Sequence, residues 1–150
     1  MTTQETAPAQ FDFSELTCKD YLDVRDIIAR VEALESTRDD WAEWQQGENE
    51  MEEAPDPFGA DEQAELTALN DILDDMKGYG GDEQWRGDWY PVTLIRDSCF
   101  TEYAEELITD CGYIPKDFPD WIAIDWEATA SAVQQDYTST EIDGVTYWYR

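Results

Sequence analysis

The sequence predicts an α+β fold in which helices pack beside a small antiparallel sheet that ends in a C-terminal β-hairpin. Three observations carry this expectation. Apolar residues recur at helical spacing in the first half, as Tyr21, Val24, Ile28, Val31 and Leu34 and again as Leu66, Leu69, Ile72, Leu73 and Met76. Near the C-terminus, Asp143-Gly144 separates two runs rich in Thr, Val, Ile and Tyr, the strongest short-range hairpin signal. Seven Trp, eight Tyr and five Phe also supply core-forming area that disordered acidic chains lack.

Taken in order, residues 1–13 read as a flexible lead-in. A helix is expected to start near Thr17, with Asp20 as an acidic variant of a capping box, to carry Ile27 beside its stripe and to end near Glu35–Arg38. Trp41 and Trp44, three apart, suit a short helical turn. Residues 45–60 form an acidic linker with two prolines and no periodicity. A second helix is expected over Asp61–Lys77, with Gly78 as its C′ residue. Gly78 to Asp88 reads as a glycine-rich loop that lacks a phosphate-binding pattern. Tyr90–Ile95 is a strand candidate in which Pro91 marks an edge or a start. A helix over Ser98–Cys111 turns Phe100, Tyr103, Ala104, Leu107 and Ile108 inward and is closed by Gly112. Pro115 and Pro119 bracket a loop, a helix follows over Asp125–Asp136, and strands Tyr137–Ile142 and Val145–Tyr149 end the chain. The organisation is thus a lead-in (1–13), an acidic helical region (14–90) and a C-terminal α+β region (91–150), the last two separate or forming one compact unit.

Charge is the strongest functional signal. The 150 residues hold 37 acids, nine basic residues and no histidine, for a net charge of −28. Solubility alone asks for a net charge of only about 2–8 in a small domain. Duplex DNA carries one charge per ~1.7 Å, so the net charge matches roughly 48 Å of duplex, against a diameter of roughly 38 Å for a compact chain of this length. A basic, nucleic-acid-handling protein is the expected partner. Direct nucleic-acid binding and anionic membrane surfaces are disfavoured by repulsion. No apolar run approaches a transmembrane span and the first residues lack a signal-peptide pattern, so the cytoplasm is the expected compartment. Cys18, Cys99 and Cys111 include no C-x-x-C and are expected as buried free thiols.

The acids concentrate between Asp39 and Asp88, where 17 face only Lys77 and Arg86. Glu48, Glu50, Glu52 and Glu53 lie in the linker, and Asp61, Glu62, Glu65, Asp71, Asp74 and Asp75 lie on the second helix. Like charges three or four apart weaken a helix. Repeating them without interleaved lysines favours a continuous negative field over an ordinary solvated face. No EF-hand pattern organises them, and no dedicated metal or cofactor site is expected.

Enzyme readings are weaker. With no histidine the commonest general base is missing. Asp125-Trp126-Glu127 offers a carboxylate pair for glycoside chemistry, and the aromatics a sugar platform. The same residues are better read as an N-cap and a first-turn acid, and no catalytic activity is expected.

Several stretches carry a resemblance: Asp97-Ser98-Cys99-Phe100-Thr101-Glu102-Tyr103-Ala104-Glu105-Glu106-Leu107, Ile124-Asp125-Trp126-Glu127-Ala128-Thr129-Ala130, Gln135-Asp136-Tyr137-Thr138-Ser139 and Asp143-Gly144-Val145-Thr146-Tyr147-Trp148. In this order they resemble the C-terminal region of the ArdA antirestriction family over residues 96–150. The resemblance implies an acidic DNA mimic of phages and mobile elements that fills the DNA groove of a restriction–modification enzyme. It implies that Glu105, Asp110, Asp117, Asp120, Asp125, Glu127 and Asp136 stand for phosphates and that Tyr103, Trp126, Tyr137, Tyr147 and Trp148 are packing residues. It also raises a homodimer, since the family's assembly is dimeric and elongated. The alternatives are an anti-CRISPR mimic directed at an effector's heteroduplex channel and an acidic adaptor or chaperone of a basic nucleic-acid-binding protein.

Overall fold

A computed structural model of the chain describes residues 10–47 and 54–150. The fold is α+β, with a small antiparallel sheet and a C-terminal hairpin, as predicted. In order the elements are α1 (Ser14–Thr17), β1 (Tyr21–Asp23), α2 (Val24–Gln45), α3 (Ala60–Met76), β2 (Asp82–Trp85), β3 (Asp88–Tyr90), β4 (Thr93–Arg96), α4 (Phe100–Asp110), α5 (Trp126–Gln134), β5 (Thr138–Ile142) and β6 (Val145–Tyr149). The main sheet has strand order β1-β4-β6-β5 with every pairing antiparallel, and β2–β3 form a separate two-stranded sheet.

Strand alternation places a core on each face of the main sheet. Leu94 of β4 and Tyr147 and Tyr149 of β6 join α2 and α3 in one cluster with Val24, Val31, Leu66, Leu73 and Met76. Ile95 and Trp148, their neighbours in sequence, turn the other way and meet Phe100, Ala104 and Ala130 of α4 and α5. Leu107 and Ile108, expected inward on α4, are only half-buried. Because β1 pairs with β4 in the register Leu22↔Leu94, residues on both sides of position 90 share one sheet.

The first helix differs from expectation. Thr17 ends α1 instead of opening a helix, and its hydroxyl donates back to the Phe13 carbonyl at 3.1 Å. Tyr21–Asp23 is strand, because β4 supplies its hydrogen bonds. The long helix starts at Val24, where Asp23 is the N-cap and accepts the Arg25 N–H at 2.9 Å. The Arg25 guanidinium also donates to this carboxylate and holds it below the usual carboxylate range. The helix then runs through Trp41 and Trp44, whose rings stack at 5.1 Å, to Gln45. Phe11 and Phe13, expected within a flexible lead-in, pack against the core with ring centroids 4.9 Å apart.

The glycine-rich stretch holds structure too. It contains β2 and the start of β3, a hairpin that breaks register between Glu83 and Trp85. A Cβ on Gly80 would stand 2.4 Å from the Pro91 nitrogen, and φ is +121° there, so the close crossing needs glycine. The expected Tyr90–Ile95 strand is split at buried Pro91 into the end of β3 and the start of β4. At the C-terminus the hairpin turns as predicted, with positive φ at both Asp143 (48°) and Gly144 (79°).

Burial raises the phenols of Tyr90, Tyr147 and Tyr149 above their ordinary value of 10.0. Burial raises Tyr103 as well, assisted by its 2.8 Å hydroxyl contact with Tyr137. Tyr21 is pushed up to about 12, by burial first and by the neighbouring Cys99 second. The folded state therefore prefers the neutral phenols. Their contribution is complete below pH 10.0 and is lost as pH rises through the raised folded values. The urea midpoint, measured from about pH 8 to about pH 12, is expected to fall once the pH exceeds about 10. A midpoint that stays level to the top of that range contradicts the assignment.

Candidate functional site

No described carboxylate is buried. Helix α3 shows why: Leu66, Leu69, Ile72, Leu73 and Met76 take its inner face and leave the acids outward. The structure divides the six acids predicted there. Glu62 accepts the Gly59 N–H at 3.0 Å and so caps the helix. Glu65 receives both Arg30 donors, at 2.7 and 2.9 Å, and ties α3 to α2. Asp75 accepts the hydroxyl of buried Thr140 on β5. Asp61, Asp71 and Asp74 are exposed and have no such partner among the described residues.

The C-terminal set is exposed throughout. Glu105 and Asp110 lie on α4, Asp117 and Asp120 in the α4–α5 loop, and Asp136 just beyond α5. Asp125 is the N-cap of α5 and accepts the Ala128 N–H at 3.1 Å, while Glu127 lies in the first turn. That geometry accounts for this pair as helix-starting residues. Glu48, Glu50, Glu52 and Glu53 lie outside the described residues.

The fold gathers acids that a linear reading keeps apart. An open groove of about 1430 Å³ runs between α3 and the β5–β6 hairpin, with Phe11 and Phe13 among its lining residues. Asp71 and Asp75 border it from α3, Glu141 and Asp143 from the hairpin. The hairpin acids were missed because only alternation along β5 hints at the facing of Glu141, Asp143 reads as a turn residue, and nothing local reveals which helix lies opposite. Asp82 and Glu83, also missed, extend the exposed acid onto β2.

Neutralisation is sparse. Among the described residues, ion pairs join Arg25 to Asp23, Arg30 to Glu65, Arg38 to Glu35 and Asp39, Lys77 to Asp88 and Arg86 to Glu35. The remaining described carboxylates have no cation within 4.0 Å. All pairs lie at the surface and add little to stability. The surface therefore projects a field that decays over about 8 Å at physiological salt. No group of three metal-ligating side chains gathers among the described residues.

The cysteines are free, but only Cys99 is buried. Cys18 and Cys111 are exposed, contrary to the expectation of buried thiols, because they sit at the ends of α1 and α4 where no second layer covers them. Of the expected packing residues, Tyr103, Tyr137 and Trp148 pack with Phe100 and Tyr147 is fully buried, while Trp126 is half-buried and joins neither core cluster. Among the described residues no helix is long and apolar enough to cross a membrane. No protein-family model, curated protein or solved structure matches the chain.

Proposed function

We propose that the chain is a proteinaceous decoy for nucleic acid that blocks the DNA-binding groove of a restriction–modification enzyme in the cytoplasm of a bacterial host. The observation that carries this reading is the combination of a net charge of −28 with described carboxylates that are all at the surface and mostly free of cations. Such a surface offers a basic groove what a phosphate backbone offers it, and needs no chemical step. The similarity of residues 96–150 to the ArdA antirestriction family supports the choice of target.

The test is competition. Tagged full-length protein is incubated with the purified methyltransferase core of a type I restriction–modification enzyme, and in parallel with a guide-loaded CRISPR effector, each with and without excess duplex DNA. Capture of the methyltransferase core that duplex DNA abolishes is the expected result. Displacement from the CRISPR effector alone moves the target to that class. A ternary complex in which DNA and protein bind together overturns mimicry and makes the chain an adaptor.

A further inference from the structure

The α4–α5 loop, residues 111–125, spends apolar surface in an unusual way. Trp121 is 84% exposed, Tyr113 77% and Ile122 40%. Trp121 is the most exposed of the tryptophans, ahead of Trp89 at 49%, and several others are used within the molecule: Trp41 stacks on Trp44, Trp85 lies under the Arg86 guanidinium at 3.9 Å, and Trp148 packs on Phe100 while donating to Asp97 at 2.8 Å. The loop is also ordered. Two proline-led turns shape it, closed by the Phe118 N–H to the Pro115 carbonyl at 3.0 Å and the Ile122 N–H to the Pro119 carbonyl at 3.1 Å. A large indole held outward on a pre-shaped loop gives up hydrophobic burial in the free protein and recovers it on docking, at low ordering cost.

Charge identifies what docks. Asp117 and Asp120 closely precede Trp121, Asp110 and Asp125 stand at the loop's two ends, and Lys116 is the one cation of the stretch. At this loop a second copy of the chain would set one acidic rim against another, and anionic lipid and phosphate-bearing nucleic acid meet the same repulsion. The complementary surface is a protein face with a basic rim and an apolar pocket. Resting on the decoy reading, we infer that this loop is the anchor of the complex: Trp121 fills an apolar pocket beside the partner's DNA-binding groove while the distributed carboxylates supply steering. Tryptophan is enriched among the residues that dominate binding energy, and mutations at such anchors act mainly on dissociation.

The test measures association and dissociation rates of the full chain with the type I methyltransferase core, and with the CRISPR effector, over a salt series. Trp121→Ala is expected to raise Kd about 30-fold through faster dissociation, the equivalent of losing one hot-spot side chain, with the salt slope unchanged. Trp121→Phe restores most of the loss, and Tyr113→Ala weakens binding in the same sense. Far-UV circular dichroism separates these effects from misfolding. Binding that DNA displaces but Trp121→Ala leaves intact overturns the anchor and spares mimicry. Binding that Trp121→Ala abolishes but DNA does not displace spares the anchor and overturns mimicry. If the wild-type chain binds neither protein, both fall.

Discussion

Tyr147→Ala is expected to lower the unfolding free energy by about 3–5 kcal/mol, the range for truncating a fully buried aromatic side chain. The ring is 0% exposed and lies on β6 with Thr140 of β5 opposite it on one side and Arg96 of β4 on the other. Its hydroxyl lies 3.1 Å from the Leu16 carbonyl and 3.0 Å from that of Lys19, a single donor shared between them. One side chain therefore fastens the start of the chain to its end. Alanine would leave a cavity and withdraw the hydroxyl from both carbonyls, of which Leu16 keeps the Lys19 N–H at 3.1 Å. Whole-domain stability is about 5–15 kcal/mol, so the loss is a large share of it, and the midpoint temperature is expected to fall by about 6–20 °C. Tyr147→Phe keeps the ring and is expected to cost about 1 kcal/mol. Urea titrations of the three proteins check the ordering. Equal losses for the two variants would mean that the hydroxyl alone matters, and that the core tolerates the missing ring.

Elements that carry their own punctuation were legible in the sequence. Helix α3 has a complete apolar stripe with Gly78 beyond its end, α5 has its Asp125 cap, and the last hairpin has Asp143-Gly144. Elements made by distant partners were not. β1 is three residues long and exists because β4, far along the chain, supplies its ladder, so Tyr21 passed for the first turn of a helix. With those residues in the strand, the helix opens at Val24 behind its Asp23 cap. β2 and β3 were hidden for a related reason. The turn between them carries Arg86 at φ 52°, an uncommon conformation for a non-glycine residue, and its guanidinium is held 2.8 Å from Glu35 on α2. The same distinction runs through the acidic surface. Composition alone announced an exposed field, because so many carboxylates cannot be buried without partners. Which of them are committed to the fold could not be read, since Arg30 and Thr140, the partners of Glu65 and Asp75, lie 35 and 65 positions away.

That division designs the decisive charge experiment. Glu62, Glu65 and Asp75 are unsuitable for a neutralising block, because their loss would open a helix cap, an interhelix pair and a sheet contact. Asp61, Asp71 and Asp74 are exposed on the same helix without such duties. The triple variant D61N/D71N/D74N is expected to weaken binding to the methyltransferase core by about eightfold at low salt, while each single change alters it by about twofold, as a distributed, additive field requires. Over the salt series, the wild-type Kd is expected to rise about 100-fold from about 50 to about 200 mM, the loss that about four ion pairs would show on the nucleic-acid slope. The triple variant should lose affinity less steeply, since fewer charges remain to be screened. Its folding stability should stay close to that of the wild type. Asp71 and Asp74 stand three apart on one helix face, so removing their repulsion favours the helix, while Asp61→Asn gives up a favourable first-turn charge. Weaker binding by an equally stable protein cannot be ascribed to damage of the fold. A single Asp71→Asn change that ended binding would replace the field with one specific contact, and a Kd indifferent to salt would remove electrostatics as its basis.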